Sequence, residues 1–295
     1  MPRWFHRQII SSIFPDCGCI ISTLGRATAR PLFCCTASLK PPNAWRGQYE
    51  RIAASGYRVI VPDQRGFNLT DKARPYDLDT LTNDVLGLMD ACRLPKIRLA
   101  GHDWGAMVAW TLAGRHPDRV ERLAAVNVPH PAVMLGIVHN LDVRQWLRSW
   151  YALAFMIPFV SEAILSALDY KVLCTILRRT SRTGTFSEAD LAAYRKVWAQ
   201  PGGLSAMLGW YRALPKLVLF AAQRRRYELR IEVPTLLCWG MQDVALLPHL
   251  AEQSMSWVTT GKLARFDQGG HWLLEEFPAE VTQHILQHFG SGAKH

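Results

Sequence analysis

The stretch IRLAGHDWGAMV, residues 97–108, decides the fold of this chain. Its apolar start is typical of a buried strand, and the apolar spacing after Gly105 is typical of a helix. Small residues on both sides of Asp103 allow a sharp turn between the two, which lifts the central side chain above the carboxyl edge of a sheet. A carboxylate in that position attacks saturated carbon and forms an alkyl ester. The stretch therefore predicts a nucleophile elbow, with an Asp103 that only caps a helix as the alternative.

Strands and helices alternate on both sides of this elbow. Strand-like runs lie at 57–62, 97–101, 123–128, 235–239 and 262–266, and helical patterns lie at 78–92 and 104–115. Such alternation is typical of a parallel sheet that helices cover on both faces. The chain has 295 residues, of which 49% are apolar, so it can bury the core of one catalytic domain with an insertion. We expect an α/β fold with a mostly parallel, doubly wound sheet.

The alternation stops over residues 133–227, where long amphipathic helical patterns take over. We therefore predict an inserted helical lid at 133–227, between two core segments at 44–132 and 228–295. Apolar residues are densest around 150–168, but Arg148, Pro158 and Glu162 interrupt or flank that run. A membrane span needs about 20 apolar residues with few charges, so a buried or interfacial lid helix is favoured.

A nucleophile of this kind needs an acid and a histidine later in the chain, in that order. Asp243 follows the predicted strand 235–239, and His271 follows two glycines after the next strand. Open parallel sheets place catalytic groups at these strand ends, and neutral imidazole can deprotonate water near pH 7. We therefore predict Asp243 as the orienting acid and His271 as the base. The alternatives are a turn or helix-capping aspartate and a solvated loop histidine.

Charge and cysteine content indicate which partners, metals and cellular compartment to expect. The formal net charge is +10, but apart from two short arginine clusters at 178–182 and 224–226 the basic residues are dispersed. We interpret those clusters as solvated lid surface, and no motif of nucleic-acid-binding proteins accompanies them. No histidine or cysteine spacing is typical of a zinc site, so no metal is predicted. Sparse cysteines after residue 35 favour the cytoplasm, with an organelle or a membrane surface left open.

Several motifs together resemble the epoxide hydrolases of the α/β-hydrolase fold, over about residues 45–290. They are DQRGFNLTD at 63–71, GHDWG at 101–105, PHP at 129–131, GMQD at 240–243 and GHW at 270–272. In that family two lid tyrosines donate hydrogen bonds to the epoxide oxygen. The matching residues are Tyr151, seven positions before Pro158, and Tyr211 in Trp-Tyr-Arg. Packing within an amphipathic lid is the alternative role of both tyrosines.

The resemblance implies a mechanism in two steps. Asp103 attacks an epoxide carbon while Tyr151 and Tyr211 stabilise the oxygen as it becomes an alkoxide. His271, held by Asp243, then activates a water molecule, and the ester is hydrolysed to a vicinal diol. No cofactor is implied. The expected partners are a small lipophilic epoxide and water, and the oligomeric state is left open.

The chain departs from this family before residue 44. The family's first central strand ends in His-Gly-Phe-Pro, whose loop supplies one backbone donor of the oxyanion hole. The N-H of Trp104 supplies the other. Residues 33–40 read FCCTASLK instead. Losing one oxyanion donor typically costs about 100-fold to 1000-fold in turnover.

A shifted reading frame explains the departure. Read one base upstream, codons for residues 34–40 permit Leu-Leu-His-Gly-Phe-Pro-Glu, and codons for 16–20 permit a strand-like Gly-Leu-Arg-Leu-His. We treat 1–43 as an anomalous segment and hypothesise that about residues 10–42 are translated out of frame. A divergent or disordered leader and a transit peptide are the alternatives. If the segment is expressed as written, we expect the sheet to lack its first strands and to expose an unpaired edge.

Two other functions stay open at this point. A haloalkane dehalogenase shares the carboxylate nucleophile and the His-Asp-Trp elbow, but halide binding there depends on Trp104 and a second donor rather than on two tyrosines. A catalytically impaired hydrolase-fold protein that serves as a binding module would follow from the missing oxyanion loop.

Overall fold

The computed structural model describes residues 5–10, 19–26, 28–36, 42–139, 142–219 and 225–290. Within them it places eight strands in one sheet. The strands are β1 (Phe5–Ile10), β2 (Cys19–Leu24), β3 (Arg30–Thr36), β4 (Tyr57–Asp63), β5 (Ile97–His102), β6 (Val120–Val126), β7 (Thr235–Gly240) and β8 (Gly261–Phe266). Their order across the sheet is β1-β2-β4-β3-β5-β6-β7-β8. β1 and β2 are antiparallel to their neighbours, and every other pairing is parallel. The predicted α/β fold with a mostly parallel sheet is confirmed.

Helices pack on both faces of this sheet, and a further group of helices lies between β6 and β7. They are α1 (Arg46–Ala54), α2 (Leu78–Ala91), α3 (Trp104–Arg115), α4 (Pro131–His139), α5 (Val143–Arg148), α6 (Trp150–Phe155), α7 (Val160–Arg179), α8 (Glu188–Trp198), α9 (Gly203–Leu219), α10 (His249–Met255), α11 (Leu273–Glu276) and α12 (Pro278–Phe289). A 3-10 turn at Pro42–Trp45 leads into α1. None of these described helices is both long and apolar enough to cross a bilayer.

Two apolar cores lie on opposite faces of the sheet, as a doubly wound fold requires. β3 shows the division, because successive side chains of a strand point to opposite faces. Phe33 and Cys35 belong to the core under α2 and α3, whereas Leu32 and Cys34 belong to the core under α1 and α12. A strand buried on both faces reads as a continuous apolar run, which explains why β3 carries no alternation.

The expectation that the sheet lacks its first strands is wrong for the described residues. β3 lies between β4 and β5 in parallel register, with Leu32 beside Val59 and Thr36 beside His102. Its apolar side chains are fully buried, and a reduced cysteine packs as a small apolar residue. The described part of segment 1–43 is therefore ordered into β1, β2 and β3. Residues 37–41, where the missing oxyanion loop was expected, lie outside the described residues.

The other predicted elements differ from the structure mainly at their ends. α3 has the predicted bounds, and α2 ends one residue early, at Ala91. β6 spans Val120–Val126 rather than 123–128, because the chain leaves the sheet at Asn127 with a positive φ of 48°. Helices α4 to α9 occupy the chain between β6 and β7, and we call them the inserted helices. The lid boundaries at 133 and 227 stay a prediction.

Candidate active site

The elbow lies at the carboxyl end of β5, in the middle of the sheet. Asp103 has φ 54° and ψ −133°, a conformation that L residues adopt only under strain. A side chain at Gly101 would place its Cβ 2.6 Å from the carbonyl oxygen of Gly105, so the turn requires glycine there. The Asp103 carboxylate makes no capping hydrogen bond to α3. Asp103 therefore occupies the N-cap position of α3 without a capping hydrogen bond from its side chain, and the strained turn presents a carboxylate that α3 does not use.

Asp243 follows β7 and is completely buried. Its Oδ2 accepts hydrogen bonds from Nδ1 of His271 at 2.8 Å and from Nδ2 of Asn127 at 2.9 Å. Its Oδ1 accepts the backbone N-H groups of Ala245 at 2.7 Å and Leu246 at 2.9 Å. Both oxygens are occupied, so the carboxylate is fixed in place and holds the imidazole in one tautomer.

His271 lies between the two carboxylates. Its Nδ1 faces Asp243, and its Nε2 is 3.9 Å from Oδ2 of Asp103. Burial lowers the pKa of His271, but the charges and hydrogen bonding of Asp243 and Asp103 outweigh burial and raise it to about 10. The imidazole of His271 therefore keeps its second proton at neutral pH. Esterification would remove the charge of Asp103 and lower the pKa of His271, which converts the imidazolium into a base for the next step.

The raised pKa of His271 predicts a pH-dependent stability. The protonated group stabilises the fold fully below its unfolded pKa of 6.5, and this contribution is lost as the pH rises through about 10. The free energy of unfolding of the wild type minus that of His271→Gln measures this contribution. We expect this difference to decrease as the pH rises from 7 to above 10. Denaturant titrations of both proteins across that range measure the difference. A difference that is independent of pH would contradict the charge arrangement.

Tyr151 on α6 and Tyr211 on α9 lie above the elbow. The ring of Tyr211 is 5.3 Å from Trp104 and 6.3 Å from Tyr151, in edge-to-face contacts. Burial raises the pKa of Tyr151 well above its usual value, and the nearby Tyr211 and Asp103 raise it further. Tyr151 therefore keeps its proton and can donate a hydrogen bond. The predicted nucleophile, acid, base and both tyrosines are thus brought to one place, and their roles stay predictions.

Asn127 is not predicted from the sequence, and it connects three parts of this site. Its Nδ2 donates to Asp243 and, at 2.7 Å, to the carbonyl oxygen of Gly270, and its Oδ1 accepts the N-H of Gly240 at 3.0 Å. The residue is completely buried. Asn127 therefore positions the acid and the loop that carries His271. Asn127 lies within the predicted strand 123–128, so its tolerance of a positive φ is the only sequence signal of a turn there. Its partners are more than 100 positions away.

Asn127→Ala is expected to lower the free energy of unfolding by about 2–4 kcal/mol, because it leaves buried groups unpaired. We also expect kcat to fall more than about tenfold through loss of orientation. Asn68→Ala is the matched control, because Asn68 also has a positive φ, of 46°, but it is partly exposed and its side chain bonds to Asp63 and Gln200. Equal losses of stability and kcat in the two variants would show that Asn127 acts only through its backbone.

Two residues of α5 also hold the acid loop. Nη1 of Arg148 donates to the carbonyl oxygen of Asp243 at 2.7 Å. The side chain of Gln145 donates to the carbonyl oxygen of Ala245 at 2.6 Å and accepts the N-H of Leu247 at 2.8 Å. The inserted helices are thus connected directly to the segment that orients His271.

The remaining groups near the site are structural. Nε2 of His102 lies 3.0 Å from the carbonyl oxygen of His271 and so contacts the loop of the base. His130 stacks on Trp257 with ring centres 5.2 Å apart, and burial lowers its pKa to about 4. Among the described residues, no three histidine, cysteine or acidic side chains converge as metal ligands would.

Comparisons with known proteins identify the family and the fold of this chain. A family model for the α/β hydrolase fold matches residues 30–278. The AB hydrolase superfamily protein YfhM of Bacillus subtilis is 41% identical over 247 residues, which cover 83% of this chain and 84% of that protein. Human epoxide hydrolase 4 is 33% identical over 251 residues, which cover 82% of this chain and 67% of that protein. The crystal structure of a mutant epoxide hydrolase from Bacillus megaterium with its product has a TM-score of 0.84, covers 96% of this chain and 99% of its own, and is 23% identical, which shows a shared fold.

Proposed function

This chain belongs to the epoxide hydrolases of the α/β-hydrolase fold, and we propose that it converts a lipophilic epoxide into a vicinal diol through an alkyl ester on Asp103. One observation carries the proposal. The strained elbow holds a carboxylate that caps no helix, 3.9 Å from an imidazole whose other nitrogen is bound to a buried acid.

In the first step, an Asp103 oxygen attacks an epoxide carbon and the ring C-O bond breaks. The oxygen becomes an alkoxide, which Tyr151 and Tyr211 stabilise by hydrogen bonds that are strongest at the transition state. Because the ester carries no charge, the pKa of His271 falls. The imidazolium releases its proton, which neutralises the alkoxide by way of the tyrosines or water. The total charge of the side chains and the bound substrate is therefore the same before and after this step.

In the second step, neutral His271 takes a proton from water, and the hydroxide attacks the carbonyl carbon of the Asp103 ester. The N-H of Trp104 is at the start of α3, where backbone donors have no partner in the helix, and it stabilises the negative oxygen. The acyl C-O bond then breaks, and the leaving diol oxygen takes the proton of the carboxylic acid that forms at Asp103. The original carboxylate and imidazolium thereby return.

The substrate class follows from what surrounds the carboxylate. Trp104, Phe155, Trp210 and both tyrosines contact one another edge to face around the elbow. An apolar pocket with a few polar groups selects a lipophilic ligand with one polar atom. The inserted helices are proposed to form the lid over this pocket, and their connections to the acid loop through Gln145 and Arg148 support that role.

Comparing two substrates distinguishes the dehalogenase alternative. We expect hydrolysis of styrene oxide with a kcat/KM at least about 1000-fold above that for 1-bromobutane, because two tyrosine donors suit an oxygen that gains charge. Asp103→Asn should abolish both reactions. A preference for the bromoalkane would favour the dehalogenase, and no reaction with any epoxide would favour the impaired protein.

A further inference from the structure

The outer side of α5, α6 and the first half of α7 carries large apolar side chains that the rest of the described molecule leaves uncovered. We call these residues the outer apolar face: Val143, Trp146, Leu147, Trp150, Leu153, Ile157, Phe159, Val160, Ile164 and Leu168. Phe159 is 85% exposed, Leu168 79% and Leu147 72%. Soluble monomers rarely expose contiguous apolar patches above a few hundred Å², and larger ones mark interaction sites.

The face has the spacing of amphipathic helices. Val143, Trp146, Leu147 and Trp150 lie at intervals of three, four and seven residues, which places them on one side of a helical path. The opposite side is packed, as the complete burial of Gln145 shows. The path of α5 and α6 therefore has one side that packs on the interior and a second, apolar side that faces the exterior.

The helices that carry the face are connected. The hydroxyl of Ser161, in the first turn of α7, lies 2.6 Å from the carbonyl oxygen of Ala154 and 2.7 Å from that of Ile157, and it can donate its proton to either, which connects α7 to the end of α6. α7 loses its helical backbone at Ala167–Tyr170, where Leu168 has a φ of 50°. Leu168, which is part of the outer apolar face, lies at this break and is exposed.

Each of three acids beside the face lies against a basic side chain, and the arginines neutralise Glu162 and Asp169. Asp142 pairs with His249 at 2.9 Å, Glu162 with Arg212 at 2.7 Å, and Asp169 with Arg195 at 3.4 Å. The exposed basic residues Arg144 and Lys171 form no ion pair with any described acid, and Arg179 at the end of α7 is exposed as well. The whole chain carries a formal net charge of +10.

We propose that the outer apolar face docks on the surface of an anionic lipid bilayer. Apolar and tryptophan side chains of a surface helix insert at the boundary between headgroups and acyl chains, and unpaired basic side chains bind acidic headgroups. A second copy of this chain fits less well, because it would bring a second set of unpaired basic residues against the first.

Docking in this orientation would also bring a lipophilic substrate close to the active site. This consequence rests on the proposed function. Tyr151 belongs to the same short helix as Trp150 and Leu153 but contacts Phe155 and Tyr211 on the inner side. One layer of helix thus separates the bilayer from the tyrosines. A lipophilic epoxide dissolved in lipid would reach the site without crossing bulk water.

Vesicle flotation of the full chain tests the docking without any measurement of turnover. We expect binding to vesicles of phosphatidylcholine and phosphatidylglycerol in equal parts, and much weaker binding to phosphatidylcholine alone. The combined variant Leu147→Ser, Phe159→Ser and Leu168→Ser should bind at least about 100-fold more weakly. Arg144→Ala with Lys171→Ala should weaken binding roughly tenfold, and less so at high salt.

The controls separate docking from misfolding and from self-association. Leu69→Ser removes an apolar side chain that is 49% exposed outside the face and should bind like the wild type. Thermal unfolding checks that the combined variant is folded. We expect a melting temperature close to that of the wild type, because all three changes are on the surface. Failure to bind the anionic vesicles, or equal binding to neutral ones, would overturn the proposal. A wild-type dimer in light scattering that the combined variant converts to a monomer would overturn it too, since the face would then bind a second copy.

Discussion

His271→Gln is expected to stop the reaction after ester formation, with one alkyl group bound per protein molecule and kcat reduced by about 10⁴-fold. Glutamine fills a similar volume but cannot remove a proton from water, so the second step fails while Asp103 can still attack. Intact-protein mass spectrometry after addition of styrene oxide measures the added mass, and peptide mapping places it on the peptide that contains Asp103.

The double variant Asp103→Asn with His271→Gln is the control, because it lacks both the nucleophile and the base. It should gain no mass under the same conditions. A folded His271→Gln protein that gains no mass from any epoxide tested, or gains it at a residue other than Asp103, would contradict the assignment of the nucleophile.

Removing the hydroxyls of Tyr151 and Tyr211 should slow ring opening. Each single change to phenylalanine is expected to reduce the rate of ester formation by about 100-fold to 1000-fold, the usual cost of one donor at a developing oxyanion. The double change should cost more than either, because the alkoxide then has no donor. Single-turnover mass measurements in the His271→Gln background separate this step from ester hydrolysis.

Tyr170→Phe is the matched control for both tyrosines. Tyr170 also belongs to the inserted helices, but its ring contacts Trp198 with centres 5.8 Å apart, and it has no contact with the elbow. We expect this variant to form the ester at the wild-type rate. Similar losses in all three single variants would mean that the tyrosines act by packing, which is the alternative role that their sequence positions leave open.

The sequence predicts the elbow and the strand ends well because these depend on local patterns. Glycine spacing around Asp103 and the alternation of strands with helices are properties of a few neighbouring residues. The positions of Asp243 and His271 follow, since parallel strands end at one edge. Asn127, Gln145 and Arg148 could not be predicted in the same way, because each acts through hydrogen bonds to residues 95 to 143 positions away.

Strand β3 also could not be predicted from the sequence, and the reason differs from that for Asn127, Gln145 and Arg148. Its apolar run Leu32–Cys35 is short, lacks alternation and is followed by none of the expected loop residues. In the structure, Thr36 ends this strand beside His102, at the elbow. In the shifted reading frame, His-Gly-Phe-Pro would fall at 36–39, beginning at the last residue of the strand. The frameshift therefore stays a hypothesis with a defined location, and the nucleotide sequence of these codons tests it.

A single turnover in water labelled with oxygen-18 tests the covalent mechanism most directly. With enzyme in excess over styrene oxide, we predict a diol without the label and one labelled oxygen on the peptide that contains Asp103. The reason is that water attacks the carbonyl carbon of the ester, so the new oxygen of the diol comes from the carboxylate. A labelled diol and an unlabelled Asp103 would show that water attacks the epoxide directly, and would contradict this account.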